Sequence, residues 1–148
     1  MILYSDSSAL VKAFHQEEHS AEVIRWLAAS DAVGSSLLAR AEVAAGLSRA
    51  LRMGRLTSRR AEWIAELFRI RWDSLIHLDV TEDLVTLADT LAWRHGLRGC
   101  DAVHLATALG WQARLAAPVV FAAFGRALLR AAEREGLSTL PEPPYSAG

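Results

Sequence analysis

Residues 2–12, Ile2-Leu3-Tyr4-Ser5-Asp6-Ser7-Ser8-Ala9-Leu10-Val11-Lys12, decide how this chain is read. A short apolar run ends on a carboxylate, and a small polar turn leads into residues with helical character. Strand, turn and helix in that order open an α/β unit. Further short apolar runs at Ala32 to Ser36, Leu75 to Val80 and Val119 to Ala122 read as strands, with Ile2 to Ser5 as the first. Helices fill the gaps. One is expected from about Ala39 to Met53, stopped by Gly54, and another from about Ser58 to Trp72. A third spans Thr81 to His95: Thr81 suits an N-cap, Glu82 and Asp83 favour the positive helix end, and Gly96 ends it. Alternating strands and helices around a parallel sheet define the fold class as α/β.

The chain has 148 residues, enough for one domain with a proper core, expected over residues 1–140 with a loose tail at 141–148. Sixteen Lys and Arg against 17 Asp and Glu leave a formal charge of −1, which excludes a uniformly basic nucleic-acid binder. Only Lys12 is a lysine. The arginine skew is compatible with phosphate recognition and equally with genomic base composition. At 52% hydrophobic and 22% charged, the chain is too apolar for intrinsic disorder. The uncharged stretch Leu115 to Gly125 is broken by Pro118 and falls short of the ~20 residues a membrane span needs. No basic leader or cleavage signal opens the sequence, and the single Cys100 fits a reducing compartment, so a cytoplasmic protein is expected. Cys100 itself reads as a small buried hydrophobe.

Three acids stand out. Asp6 follows the first strand, where the ligand crevice of a parallel sheet opens, though helix capping alone also explains an Asp there. Glu42 lies on an apolar helical stretch and needs a partner or a metal; Arg40 and Arg49 could supply an ordinary ion pair. Asp101 heads Asp101-Ala102-Val103-His104-Leu105-Ala106-Thr107-Ala108-Leu109, again a possible N-cap. Three carboxylates converging at one sheet edge would repel unless a hard divalent cation, Mg²⁺ or Mn²⁺, screened them.

On these residues the sequence resembles the PIN-domain family, and specifically VapC-like ribonuclease toxins of bacterial toxin–antitoxin pairs. The likeness runs from Ile2 to about Leu137. It is carried by Tyr4-Ser5-Asp6-Ser7-Ser8-Ala9-Leu10-Val11-Lys12, by Ala41-Glu42 in a helix after a strand, and by Leu97-Arg98-Gly99-Cys100-Asp101 with the helix that follows. Val119-Val120-Phe121 and Glu135-Gly136-Leu137 complete it. The resemblance implies a three-layer fold with a parallel sheet of about four to five strands. It also implies an endoribonuclease dependent on Mg²⁺, or Mn²⁺, held by Asp6, Glu42 and Asp101, which hydrolyses RNA with metal-activated water. Ser7 or Ser8 would orient the Asp6 carboxylate or a water, a small antitoxin protein would be the partner, and a homodimer is the family expectation. His104, three residues after Asp101, reads as a structural histidine. One position departs from the pattern: the family's fourth acid, just after the last central strand, corresponds to Gly125. That gap motivates the competing reading of a non-catalytic or weakened module that binds RNA or protein.

Seven arginines between Arg49 and Arg71 face only Glu62 and Glu66. Arg49, Arg52, Arg59 and Arg60 are the candidates for phosphate contact; a solvated face or a surface for an acidic antitoxin segment are the alternatives. The helix from Ser58 to Trp72 carries more apolar residues than one core-facing stripe needs, which points to a partner chain. His15-Gln16-Glu17-Glu18-His19 fits a zinc-protease pattern but lacks an obvious third ligand. The five Trp fall in helical patterns and read as core or interface.

Overall fold

A computed structural model describes residues 1–145 and contains five strands and seven helices. The strands are β1 (Ile2–Ser5), β2 (Ala32–Ser36), β3 (Ile76–Leu78), β4 (Val120–Ala122) and β5 (Ser138–Leu140). All pair in parallel, in the order β3-β2-β1-β4-β5. The helices are α1 (Ser7–Lys12), α2 (Ser20–Ala28), α3 (Leu38–Arg52), α4 (Ser58–Trp72), α5 (Glu82–His95), α6 (Gly99–Leu115) and α7 (Arg126–Arg134). The chain builds outward from β1 through β2 to β3, then crosses to the other side of β1 for β4 and β5. The topological switch therefore lies between β1 and β4, where a crevice opens beyond the strand ends.

Alternation along β1 sends its two bulky residues to opposite faces. Tyr4 joins a core with Leu91, Leu105, Trp111, Phe121 and Leu128, under α5, α6 and α7. Leu3 packs with Ala9 and Ala122, against Trp26 and Leu27 of α2. A separate cluster, including Leu10, Val43, Leu47, Ile64, Phe68 and Trp72, holds the α3–α4 hairpin onto α1. Gly34 lets α6 approach β2, because a Cβ there would stand 2.7 Å from Cη2 of Trp111. Glu135, just after α7, accepts from His95 Nε2 at 2.6 Å and Arg94 Nη1 at 2.8 Å and so ties α7 to α5. Those two bonds, the His95 one first, hold its carboxyl below the usual glutamate range.

Several expectations shift by a residue or two for local reasons. Val119 is buried yet stands outside the ladder, its N–H donating to Gln112 Oε1 at 3.0 Å. β5 escaped the reading because Ser138-Thr139-Leu140 is short and barely apolar; its pairing with β4 makes it a strand. Ser20, well placed in the sequence to cap the second helix, does not cap α2. His19 holds the N-cap position with φ 69°, while the Ser20 hydroxyl accepts from the Glu17 N–H at 2.9 Å and donates to the His15 carbonyl at 3.1 Å. Cys100 is exposed rather than buried, since it lies in the first turn of α6. Beyond Pro141, Tyr145 Oη lies 2.9 Å from Thr139 Oγ1; residues 146–148 of the expected tail are outside the described residues. Among the described residues, no helix is long and apolar enough to cross a membrane.

Candidate active site

The site is built at the carboxyl edge of the sheet. Asp6 ends β1 at the switch point and caps α1, its Oδ1 accepting from the Ala9 N–H at 2.9 Å. The capping and functional readings of Asp6 therefore coexist. Ser8, and not Ser7, donates to the same oxygen at 2.7 Å. The Ser8 hydroxyl in turn accepts from the Phe124 N–H at 3.0 Å, tying the loop after β4 to the carboxylate. Asp6 is only 4% exposed and pairs with no cation among the described residues. Burial raises its carboxyl above the usual range, opposed chiefly by nearby His104.

Glu42 projects from α3 and meets His104 of α6, not Arg40 or Arg49, with Nε2 to Oε1 at 2.5 Å. On its other side the His104 ring meets Tyr4 of β1, Oη to Nδ1 at 2.7 Å. Tyr4 and His104 are fully buried. Burial, with the Asp6 charge adding to it, pushes the Tyr4 phenol well above its usual range, so the hydroxyl keeps its proton. Asp101 sits in the first turn of α6, where Arg98 rather than Asp101 takes the N-cap position. It is half-buried, and burial raises its carboxyl despite the favourable charges of Arg98 and His104. The like charge of Glu42 raises the carboxyls of both Asp6 and Asp101 a little further.

Their chemistry suits a hard divalent cation. All three are oxygen donors, two are held partly against ionisation by burial, and neither of those two makes an ion pair among the described residues. As the side chains stand, however, no group of three or more His, Cys, Asp and Glu among the described residues is drawn close enough to grip an ion. Glu42 is turned to His104 through Oε1, and Asp6 is engaged through Oδ1. Among the described residues, no hydrogen bond engages Asp6 Oδ2 or Glu42 Oε2.

Sequence and structure comparisons identify the family of the fold. The family model for the PIN domain covers residues 3–133. The chain belongs to the PIN-domain family. Within it, this PIN domain is 36% identical over 108 residues to Ribonuclease VapC45 of Mycobacterium tuberculosis, spanning 73% of this chain and 75% of the relative. It is 32% identical over 124 residues to Ribonuclease VapC47 of the same species, spanning 81% and 84%. Among solved structures, Mycobacterium tuberculosis VapC20, described as a Sarcin-Ricin loop cleaving toxin, shares the fold with a TM-score of 0.64 at 19% identity, over 91% of this chain and 95% of that one. VapBC2 from Rickettsia felis, solved with a promoter DNA fragment, aligns with a TM-score of 0.63 at 15% identity, over 94% and 97%.

Gly125 of this PIN domain stands at the N-cap of α7, one residue beyond Phe124 and on the β4 side of the switch point. Its φ is −80°, and an added Cβ would meet only Leu128 at an ordinary 3.7 Å. Nothing in the backbone demands glycine there. The arginine hairpin lies apart from the acids: Arg49, Arg52, Arg59 and Arg60 are exposed on α3 and α4. Arg52 Nη1 donates to Ser48 Oγ at 2.9 Å, and the Arg60 guanidinium lies 4.6 Å from the Trp63 ring centroid. The zinc-like pattern does not assemble, since His19 pairs with Glu22 at 3.0 Å and His15 joins no metal-holding group among the described residues. Tyr4 and the Glu42 contact of His104 were missed from sequence. A tyrosine two residues before Asp6 and a histidine three after Asp101 were the available signals.

Proposed function

We propose that this PIN-domain protein is an endoribonuclease dependent on Mg²⁺, with Mn²⁺ as a substitute, and that it acts as the toxin of a toxin–antitoxin pair. The observation that carries the reading is the trio Asp6, Glu42 and Asp101, of which Asp6 and Asp101 have carboxyls raised by burial and make no ion pair among the described residues. These residues would hold the ion, which when bound neutralises charge on a phosphodiester and activates water. Ser8 fixes Asp6 by its hydrogen bond and is itself fixed by the Phe124 N–H. The hairpin arginines make no ion pair with a carboxylate among the described residues, and so are available to RNA phosphates.

The relatives named Ribonuclease VapC support the RNA substrate, and the neighbours solved as toxin–antitoxin complexes support a small antitoxin partner. On α4, Trp63 is 51% and Ile70 65% exposed, apolar surface suited to a partner chain, and on α5 Trp93 is 87% exposed, suited to a homodimer. The missing acid at Gly125 favours one competing reading, a module that binds RNA without cutting it. Incubating the chain with RNA and Mg²⁺ separates the two: cleavage that stops with EDTA supports the nuclease, whereas bound but intact RNA supports the module.

A further inference from the structure

Outside the acids themselves, the one buried polar chain of the site runs through three secondary-structure elements. Tyr4 Oη and His104 Nδ1 are 2.7 Å apart, and His104 Nε2 and Glu42 Oε1 are 2.5 Å apart. Each element in this chain also bears an acid: β1 carries Tyr4 and Asp6, α6 carries His104 and Asp101, and α3 carries Glu42. We infer that His104, oriented by Tyr4, is a positioning residue that holds Glu42 by one oxygen and thereby sets the register of the three acids for a cation.

The donor roles follow from hydrogen-bond capacity. An ionised carboxylate can only accept, so the proton of this contact sits on Nε2. Nδ1 then faces the Tyr4 hydroxyl, 2.7 Å away, which donates to a neutral ring and accepts from a charged one. Tyr4 cannot drift, because its ring stacks on Phe121 at 5.4 Å with an interplanar angle of 4°. The imidazole, 1% exposed, has no room to turn away. Glu42, by contrast, keeps a quarter of its side chain exposed. Without His104 it would sample several rotamers, and the cation would have to order it on binding. Partners that orient a metal-binding carboxylate typically alter affinity or activity by about 10–100-fold.

This inference rests on the cation-binding reading above, so binding is measured apart from catalysis, by calorimetric titration of Mn²⁺ into the full chain. His104→Leu, similar in bulk but without donors, should weaken Mn²⁺ about tenfold or more. His104→Gln should recover part of that loss, and Tyr4→Phe should weaken binding less than His104→Leu. In a Glu42→Gln background, His104→Leu should change affinity little further, because both act through the same contact. Two results would overturn the inference: losses that add in full in the double variant, or a lowered unfolding temperature in EDTA with Mn²⁺ affinity unchanged. If the wild-type chain binds no Mn²⁺, the cation reading fails on its own. The relay is then decided by NMR of the His104 ring: an Nε2 proton protected from exchange, and less protected in Tyr4→Phe, sustains it, whereas a freely exchanging Nε2 proton in the wild type rejects it.

Discussion

At the carboxyl edge of the sheet, polar groups are buried and tied to one another; on the α3–α4 hairpin, charges stand in solvent and are tied to little. Asp6 is 4% exposed and its carboxyl is pushed up by burial, whereas Arg49, Arg52, Arg55, Arg59 and Arg60 are all exposed. The difference sets what each region can do. Buried carboxylates are costly without a compensating charge, which is why we propose that the edge takes a cation. Solvated arginines cost little and bind polyanions without fixed geometry, with an affinity that falls as salt rises. The two regions share α3, which carries Glu42 near its start and Arg49 and Arg52 near its end.

Substitutions at the edge should have the largest effects. Asp6→Asn keeps an acceptor for Ser8 and Ala9 but removes the charge, and RNA cleavage should fall by at least about a hundredfold. Its stability should move the other way. Because the Asp6 pKa is raised on folding, the ionised carboxylate disfavours the folded state at neutral pH, and that penalty disappears as pH falls through the raised value. Asp6→Asn should therefore melt no lower than wild type at pH 7 in EDTA, and any advantage should shrink on acidification. Gly34→Ala tests how the edge is framed. Its Cβ would press on Trp111 and displace α6, which carries Asp101 and His104, so thermal unfolding should report a loss of about 1–3 kcal/mol.

Gly125→Asp should sharpen the contrast by adding charge to the edge. The new side chain fits without clash and caps α7, for a gain of about 1 kcal/mol, and Mn²⁺ affinity by calorimetry should rise. Unchanged affinity would show that position 125 stands outside the cation locus. The hairpin should give the smallest change in stability. Reversing Arg59 and Arg60 to Glu should alter it by about 0.5 kcal/mol or less, apart from the stacking of Arg60 on Trp63. The same variant should flatten the dependence of RNA affinity on salt, and an unaltered slope would remove the hairpin from the RNA surface.

The parts of the fold that announced themselves in sequence were those with local causes. β1 read correctly because a short apolar run ends in a polar turn, and α5 because Thr81 and Gly96 mark its ends. The acids stood out for a local reason too: each lies at or near a strand end or early in a helix. β5 was not, since a three-residue edge strand owes its state to pairing with β4 rather than to its own composition. His104 was read as structural because a lone histidine on an apolar helix shows no partner. Its partners lie 62 and 100 positions away in the chain, and only the packing of α6 between α3 and β1 brings them together.

The central claim is that the three acids hold a divalent cation on which RNA cleavage depends. Its most direct test is the RNA cleavage rate against Mg²⁺ concentration for the wild-type chain and for Asp101→Asn. Cleavage should rise and saturate with Mg²⁺, vanish in EDTA, and fall by at least about a hundredfold in Asp101→Asn with the fold intact by circular dichroism. Equal cleavage by the variant, or cleavage that persists in EDTA, would contradict the account.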